Sequence, residues 1–240
     1  MAAGDPGSGS GQATVNPRED LVRAAVLTKC TLISAWGRYA RNMRPKVGVI
    51  GSARDVEPRV AGKAREVGRA IVEGDAILLT GASTGVSYEA VRGAKEAGGL
   101  TVGFSPASSL REHVGRYRLP VDLFDLLVFT GFGFKGRNVL FVRSCDAVVA
   151  VAGRMGTLNE FTIAYDEGRP TGVLRASGGL SSYFGMMAKK SRKKGPEVIY
   201  DVDPVRLVSR VLSVLRQEPL TPAAFLNPPC WTLPRRSSPV

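Results

Sequence analysis

The sequence predicts an α/β fold built on a single doubly wound, mostly parallel sheet with helices on both faces. Short apolar runs rich in valine, leucine and isoleucine recur at residues 46–50, 76–80, 100–104, 126–130, 146–152 and 171–174. Near-continuous apolar runs of this length suit strands covered on both faces, as in a parallel sheet. Helix-forming stretches alternate with them, and the connections are short and glycine-rich, as in βαβ units. Those three observations define the fold class.

The chain has 240 residues, room for one α/β domain over 45–217 with tails on either side. Residues 1–18 are Gly/Ser/Ala-rich and are expected to be disordered. Residues 19–44 approximate a helical stripe through Leu21, Ala24, Ala25, Thr28, Leu32, Ala35 and Trp36, suited to packing or to an acidic partner. Residues 218–240 form a Pro-rich tail, in which Phe225, Leu226 and Trp231 suggest partial docking.

The elements follow in order. After the first run, Gly51 and Ser52 make the first turn, and residues 59–73 read as an amphipathic helix stopped by Gly74. The second run ends in a turn through Gly81, Thr84 and Gly85, leading into a helix closed by Gly98 and Gly99. A longer loop over 105–120 follows the third run and carries His113, the one histidine, expected to be solvated among Arg111, Glu112, Arg116 and Arg118. The fourth run feeds Gly131, Gly133 and Gly136, a formal G-x-G-x-x-G. A dinucleotide fingerprint follows the first strand, with an acidic residue about 20 positions on. Neither condition holds here, so this is read as a loop presenting Arg137, with Phe132 and Phe134 either stacking on a base or packed in the core.

The fifth run is followed by Gly153, Arg154, Met155, Gly156 and Thr157, then helix-forming sequence. A glycine turn between a parallel strand and a helix N-terminus exposes backbone N–H groups at the positive end of the helix dipole, which favours an anion such as phosphate. Arg137 and Glu160 frame this loop and can face one crevice at the carboxyl edge of the sheet. Glu160 has a second reading, because Thr157 to Glu160 fits a capping box with Thr157 as N-cap. Downstream come a strand over 171–174, Gly178 and Gly179, a helix over 181–189, a basic run from Lys189 to Lys194, a strand at 198–200 and a final helix opened by Asp203 and Pro204. The basic run is either a solvated helix end or a nucleic-acid contact.

Bulk properties narrow the function. The net charge of +12 implies anionic partners: nucleotides, nucleic acid or acidic surfaces. Cys30, Cys145 and Cys230 are scattered and odd in number, which reads as reduced thiols. One histidine and this cysteine spacing leave no metal site and no Ser-His-Asp triad. No apolar stretch is long enough to cross a bilayer, and the first residues lack a signal-peptide pattern, so a cytoplasmic protein without a membrane partner is expected.

At Arg137, Gly153, Gly156, Thr157 and Glu160 the sequence resembles the Lonely Guy (LOG) family of Rossmann-like phosphoribohydrolases. That family carries an arginine, then a proline-glycine-glycine-any-glycine-threonine loop ending in glutamate. The resemblance spans about residues 45–174 and includes Gly51, Ser52 and the segment 81–106. Ala152 stands where the family has proline, Arg154 where it has the second glycine, and Asn138 where a lysine is common. These departures are similar to a branch near the molybdenum-cofactor carrier proteins, which bind a phosphorylated pterin without hydrolysing it.

The resemblance implies catalytic roles for Arg137 and Glu160, and phosphate or ligand binding by Gly51, Ser52, Gly81, Thr84, Gly85, Asn138, Gly153, Arg154, Gly156 and Thr157. It implies a nucleoside 5′-monophosphate phosphoribohydrolase that needs no cofactor, releasing free base and ribose 5-phosphate. The alternative is a non-catalytic carrier or sensor of a phosphorylated pterin or nucleotide, in which Arg154 clamps an extra phosphate or fills the pocket. Nucleic-acid binding stands third. By the same resemblance a homo-oligomer, dimer or tetramer, is expected.

Overall fold

A computed structural model of the chain describes residues 43–54 and 56–217. The tails expected over 1–18 and 218–240, and nearly all of the helix expected over 19–44, lie outside them.

Seven strands form one sheet: β1 (Lys46–Gly51), β2 (Ile77–Thr80), β3 (Thr101–Ser105), β4 (Leu126–Phe129), β5 (Ala147–Val151), β6 (Thr171–Leu174) and β7 (Val198–Asp201). Their order is β4-β3-β2-β1-β5-β6-β7, and every pairing is parallel. The helices are α1 (Pro58–Glu73), α2 (Val86–Glu96), α3 (Leu110–Gly115), α4 (Gly133–Arg143), α5 (Met155–Asp166), α6 (Phe184–Lys190) and α7 (Pro204–Gln217).

The valine-rich fifth run becomes the central strand because it has no polar face to present to water, and all of β5 is buried. Its side chains alternate between two cores. Val149 and Val151 join Val47, Val49 and Leu78 against Val67 and Ile71 of α1, Val86 of α2 and Leu207 and Val211 of α7. Val148 and Ala150 join Ile50 and Leu79 against Phe141 of α4, Phe161 of α5 and Phe184 of α6. Each such buried side chain is worth roughly 1.5–3 kcal/mol relative to exposure. On the first face α1 and α2 approach closely through Gly68 and Gly93, where an added Cβ would overlap the backbone of Ala90 and Arg65.

Four local expectations change. Residues 105–120 are not all loop, since Ser109 caps α3 by accepting from the Glu112 amide at 3.3 Å. His113 on α3 is fully buried rather than solvated. Its Nε2–H donates to the Pro120 carbonyl at 3.0 Å, which leaves Nδ1 to accept the Ser105 hydroxyl at 2.7 Å. The histidine is a structural clamp. The helix expected over 181–189 is divided into a 3-10 turn, Leu180–Tyr183, and α6. The stretch read as a loop presenting Arg137 is helical from Gly133, so Arg137 lies in the second turn of α4.

Candidate functional site

Strand order reverses beside β1: the chain moves outward through β2, β3 and β4, then returns to place β5 on the other flank. The turns after β1 and β5 therefore diverge to opposite sides and leave a crevice at the carboxyl edge, the place where open α/β sheets bind ligands.

A cavity of about 210 Å³ occupies this crevice, lined by Ser52, Val56, Glu57, Val60, Val86, Ala152, Gly153, Arg154, Ser177, Gly178 and Gly179. The turn after β1 is fixed by its neighbour: Val86 N donates to Ser52 O at 2.9 Å, and Thr84 Oγ1 donates to Ala53 O at 2.8 Å. Gly85, at φ +72°, lets that neighbouring turn lie against the Ser52 and Ala53 backbone. Thr84 and Gly85 thus shape the cavity from behind. Gly51 ends β1 packed on Val86.

On the other wall the chain turns sharply, with Ala152 at φ +55° and Gly153 at φ +116°. Ser177 holds this turn, accepting from the Ala152 amide at 2.8 Å while donating to the Leu174 carbonyl at 2.6 Å. Leu180 N also donates to Gly153 O at 2.9 Å, so the turns after β5 and β6 are laced together. Arg154 occupies the cap position of α5, and its amide donates to Thr157 Oγ1 at 3.4 Å. The first intrahelical bond is Leu158 N to Arg154 O at 3.0 Å, so the amides of Met155, Gly156 and Thr157 precede the helical ladder. Gly156 is exposed there and Thr157 is buried.

The capping-box reading of Glu160 fails. The helix begins two residues before Thr157, and Glu160 lies in its second turn, turned away from the cap. Glu160 instead meets Arg137 Nη1 at 3.3 Å, with exposures of only 8% and 4%. The guanidinium lies against Gly81, where an added Cβ would overlap Nη1, and 5.9 Å from the centre of the Phe141 ring. Asn138, with its amide nitrogen turned toward Glu160, donates to Glu160 Oε1 at 3.2 Å and to the Phe134 carbonyl at 2.9 Å. Burial pushes the Glu160 carboxyl up to about 7 against the attraction of Arg137, and burial likewise lowers Arg137. Arg137 Nε is buried without a hydrogen-bond partner.

The predicted residues therefore separate into two groups. Ser52, Gly153 and Arg154 share the cavity, while Gly81, Arg137, Asn138 and Glu160 cluster beneath α4 and α5 and do not line it. The link between the groups is α5 itself, through Thr157 packed against Gly153. Phe132 and Phe134 are not core residues, being 69% and 48% exposed. Phe134 meets the Tyr117 ring edge-on at 5.3 Å. Sequence reasoning missed Glu57, Ser177, Gly178 and Gly179. The glycine pair after β6 is the same turn signal used at the other strands; Glu57 carries none. Among the described residues no group of three His, Cys, Asp or Glu side chains is placed to hold a metal ion, and no helix is long and apolar enough to cross a membrane.

Fold and crevice define a Rossmann-like α/β protein with a cavity at its switch point. The chain belongs to the SLOG cluster4 family, whose model matches residues 44–208. An uncharacterised protein of Archaeoglobus fulgidus is 34% identical over 130 residues, covering 54% of this chain and 80% of the relative. The molybdenum cofactor binding protein of Rippkaea orientalis is similar over 72% of this chain and 99% of its own, with a TM-score of 0.61 and 29% identity. The molybdenum cofactor carrier protein of Chlamydomonas reinhardtii is similar over 73% of this chain and 100% of its own, with a TM-score of 0.60 and 29% identity. The resemblance to a LOG-like branch near the molybdenum-cofactor carriers is confirmed.

Proposed function

We propose that this protein binds a phosphorylated small molecule at the switch-point crevice and holds it without breaking it. The observation that carries this reading is the composition of the cavity wall. It offers the turns of Ser52, Gly153 and Gly178–Gly179, the side chain of Arg154 and the positive end of α5, but not Glu160. A phosphate recognised by backbone amides and an arginine gains short charge-assisted hydrogen bonds. The likeness to two molybdenum-cofactor binding proteins supports a phosphorylated pterin of that class as the ligand.

Nucleotide hydrolysis is the second reading, and one observation favours it. A carboxyl held near pKa 7 beside an arginine is suited to general acid–base chemistry at neutral pH. Reaching a sugar from its buried position requires α4 or α5 to move.

One experiment separates the two. The protein is incubated with nucleoside 5′-monophosphates and a phosphorylated pterin, binding is measured by calorimetry, and ligand integrity by chromatography. Carriage predicts intact recovery, with binding weakened about tenfold in Arg154→Ala. Free base released by the wild type and not by Glu160→Gln would move the assignment to a hydrolase.

A further inference from the structure

The crevice cavity of about 210 Å³ is small for a whole phosphorylated heterocycle, because sites that enclose such ligands run to roughly 300–1,000 Å³. A second hollow, of about 480 Å³, adjoins it at the β6–β7 end of the sheet and shares Gly178 with it. We propose that this hollow is a ring subsite: it takes the planar heteroaromatic part of a ligand whose phosphate lies in the first cavity. The proposal rests on the phosphate-binding reading above.

The divide between the two hollows is open. Gly178 has φ +78°, and an added Cβ there would meet nothing within 4 Å, so no side chain stands on the rim. Gly179 beside it backs onto Gly153, which keeps the rim low and rigid. A ligand can lie across this saddle with its two ends in different hollows.

The far wall suits a flat ring. The Arg175 guanidinium lies over the Tyr200 ring, 5.0 Å from its centroid. The nearest carboxylate on that strand, Asp201, is already engaged by Arg206 at 2.9 Å and Arg210 at 3.5 Å. Arg175 is thus a cation whose partner is an aromatic face, leaving its own opposite face and its N–H edge for a ligand. A guanidinium plane stacks on heterocycles and donates to ring carbonyls at its edge. Tyr200 Oη accepts from the Gly185 amide at 2.6 Å, which fixes the ring and leaves the hydroxyl proton for an acceptor. Val173, Leu174, Ala176 and Met186 supply the apolar part of the wall, beside Ser181 and Ser182, whose hydroxyls donate to the Gly178 and Gly179 carbonyls; the 55% exposed Met186 adds a thioether that packs well against ring edges. A second bare phosphate would leave that apolar wall unused. A planar ring bearing carbonyl acceptors uses all of it.

A third hollow, between α1, α2 and Asp122, shows the contrast. Its Arg65, Arg92 and Lys95 are already paired with Glu89, Glu96 and Asp125, so it offers no comparable donors.

The test compares ring-bearing and ring-free phosphates on the full chain by calorimetry. The probes are the common nucleoside 5′-monophosphates and ribose 5-phosphate, with wild type, Arg175→Ala and Arg154→Ala. The expected result is at least one nucleotide bound tenfold or more tighter than ribose 5-phosphate, an advantage that falls to within twofold in Arg175→Ala while ribose 5-phosphate affinity is unchanged. Arg154→Ala should weaken both probes equally. Equal wild-type affinity for ring-bearing and ring-free probes, or an advantage that survives Arg175→Ala, overturns the ring subsite and leaves the phosphate site standing. Failure of every phosphorylated probe to bind overturns the parent reading and this one with it.

Discussion

Glu160 is a carboxyl group pressed between Arg137 and Asn138 where water scarcely reaches it, and its pKa rises from the usual 4.5 to about 7. Between those values the folded protein holds a proton that the unfolded chain has released. The stability associated with this group is therefore fully present below about pH 4.5 and is lost as the pH rises through about 7. Arg137 limits that loss by favouring the charged form. Arg137→Leu should push Glu160 higher, so that urea midpoints measured at pH 5, 7 and 9 keep falling above pH 7 in the variant and level off in the wild type. Parallel profiles would show that Arg137 does not govern Glu160. Ala152, at φ +55°, sits in a left-handed conformation that disfavours a Cβ by roughly 1–2 kcal/mol. Ala152→Gly should raise the melting temperature by a few degrees, and Ala152→Pro should lower it sharply, because the proline ring fixes φ near −65°. The departure from proline at this position is thus tied to the path of the turn.

At the scale of the element, two of the turns that line the crevice are held together by one hydroxyl. Ser177 joins the end of β6 to the turn after β5, and Gly153 O accepts from the Leu180 amide further along the β6 turn. Ser177→Ala leaves the Ala152 amide without this acceptor, a loss of about 1–3 kcal/mol. It should weaken phosphate-probe binding and raise amide exchange at the ends of β5 and β6 while leaving the Gly68–Gly93 contact of α1 and α2 protected, which amide hydrogen exchange on β5, β6 and α1 will check. The helices that flank the site differ in the same way. The first face is zipped by Gly68 and Gly93, whereas α4 and α5 meet around the Arg137–Glu160 pair, an arrangement that is rarely a source of net stability.

For the molecule as a whole, the charge of +12 predicts attraction to any polyanion, separate from ligand recognition. Lys189, Lys190, Arg192 and Lys194 are largely exposed, and Lys193 of the same run is paired with Asp166 at 2.6 Å. Neutralising those four should reduce the salt slope of duplex DNA binding by up to about 3.6 and leave small-phosphate affinity within twofold. Filter binding from 50 to 300 mM salt, run beside calorimetry, tests both halves. A shared loss would place the basic run in the ligand site and contradict the crevice assignment.

The fold class was legible because a strand buried on both faces needs an apolar run; β5 has nothing else, and β1 and β6 add only Lys46 and Thr171 to apolar residues and glycine. Strand boundaries agree to within a residue or two for the same reason. The glycine turns at Gly51, Gly81 and Gly153 were legible because parallel strands feeding helices need sharp exits. Strand order was not, since every strand here pairs in parallel with similar residues and nothing local distinguishes one neighbour from another. That order, decided by packing, places the turn after β6 beside the turn after β5. It brings Ser177 and Gly178 to the crevice and Arg175 and Tyr200 to the adjoining hollow, although no motif marks them. Local pattern also left Glu160 open between a helix cap and a carboxylate facing the crevice, and the structure makes it neither, placing it in a buried pair with Arg137. Only the tertiary structure decided it, because the energy of a carboxyl group is set by the water, cations and amides around it, and those come from distant parts of the chain.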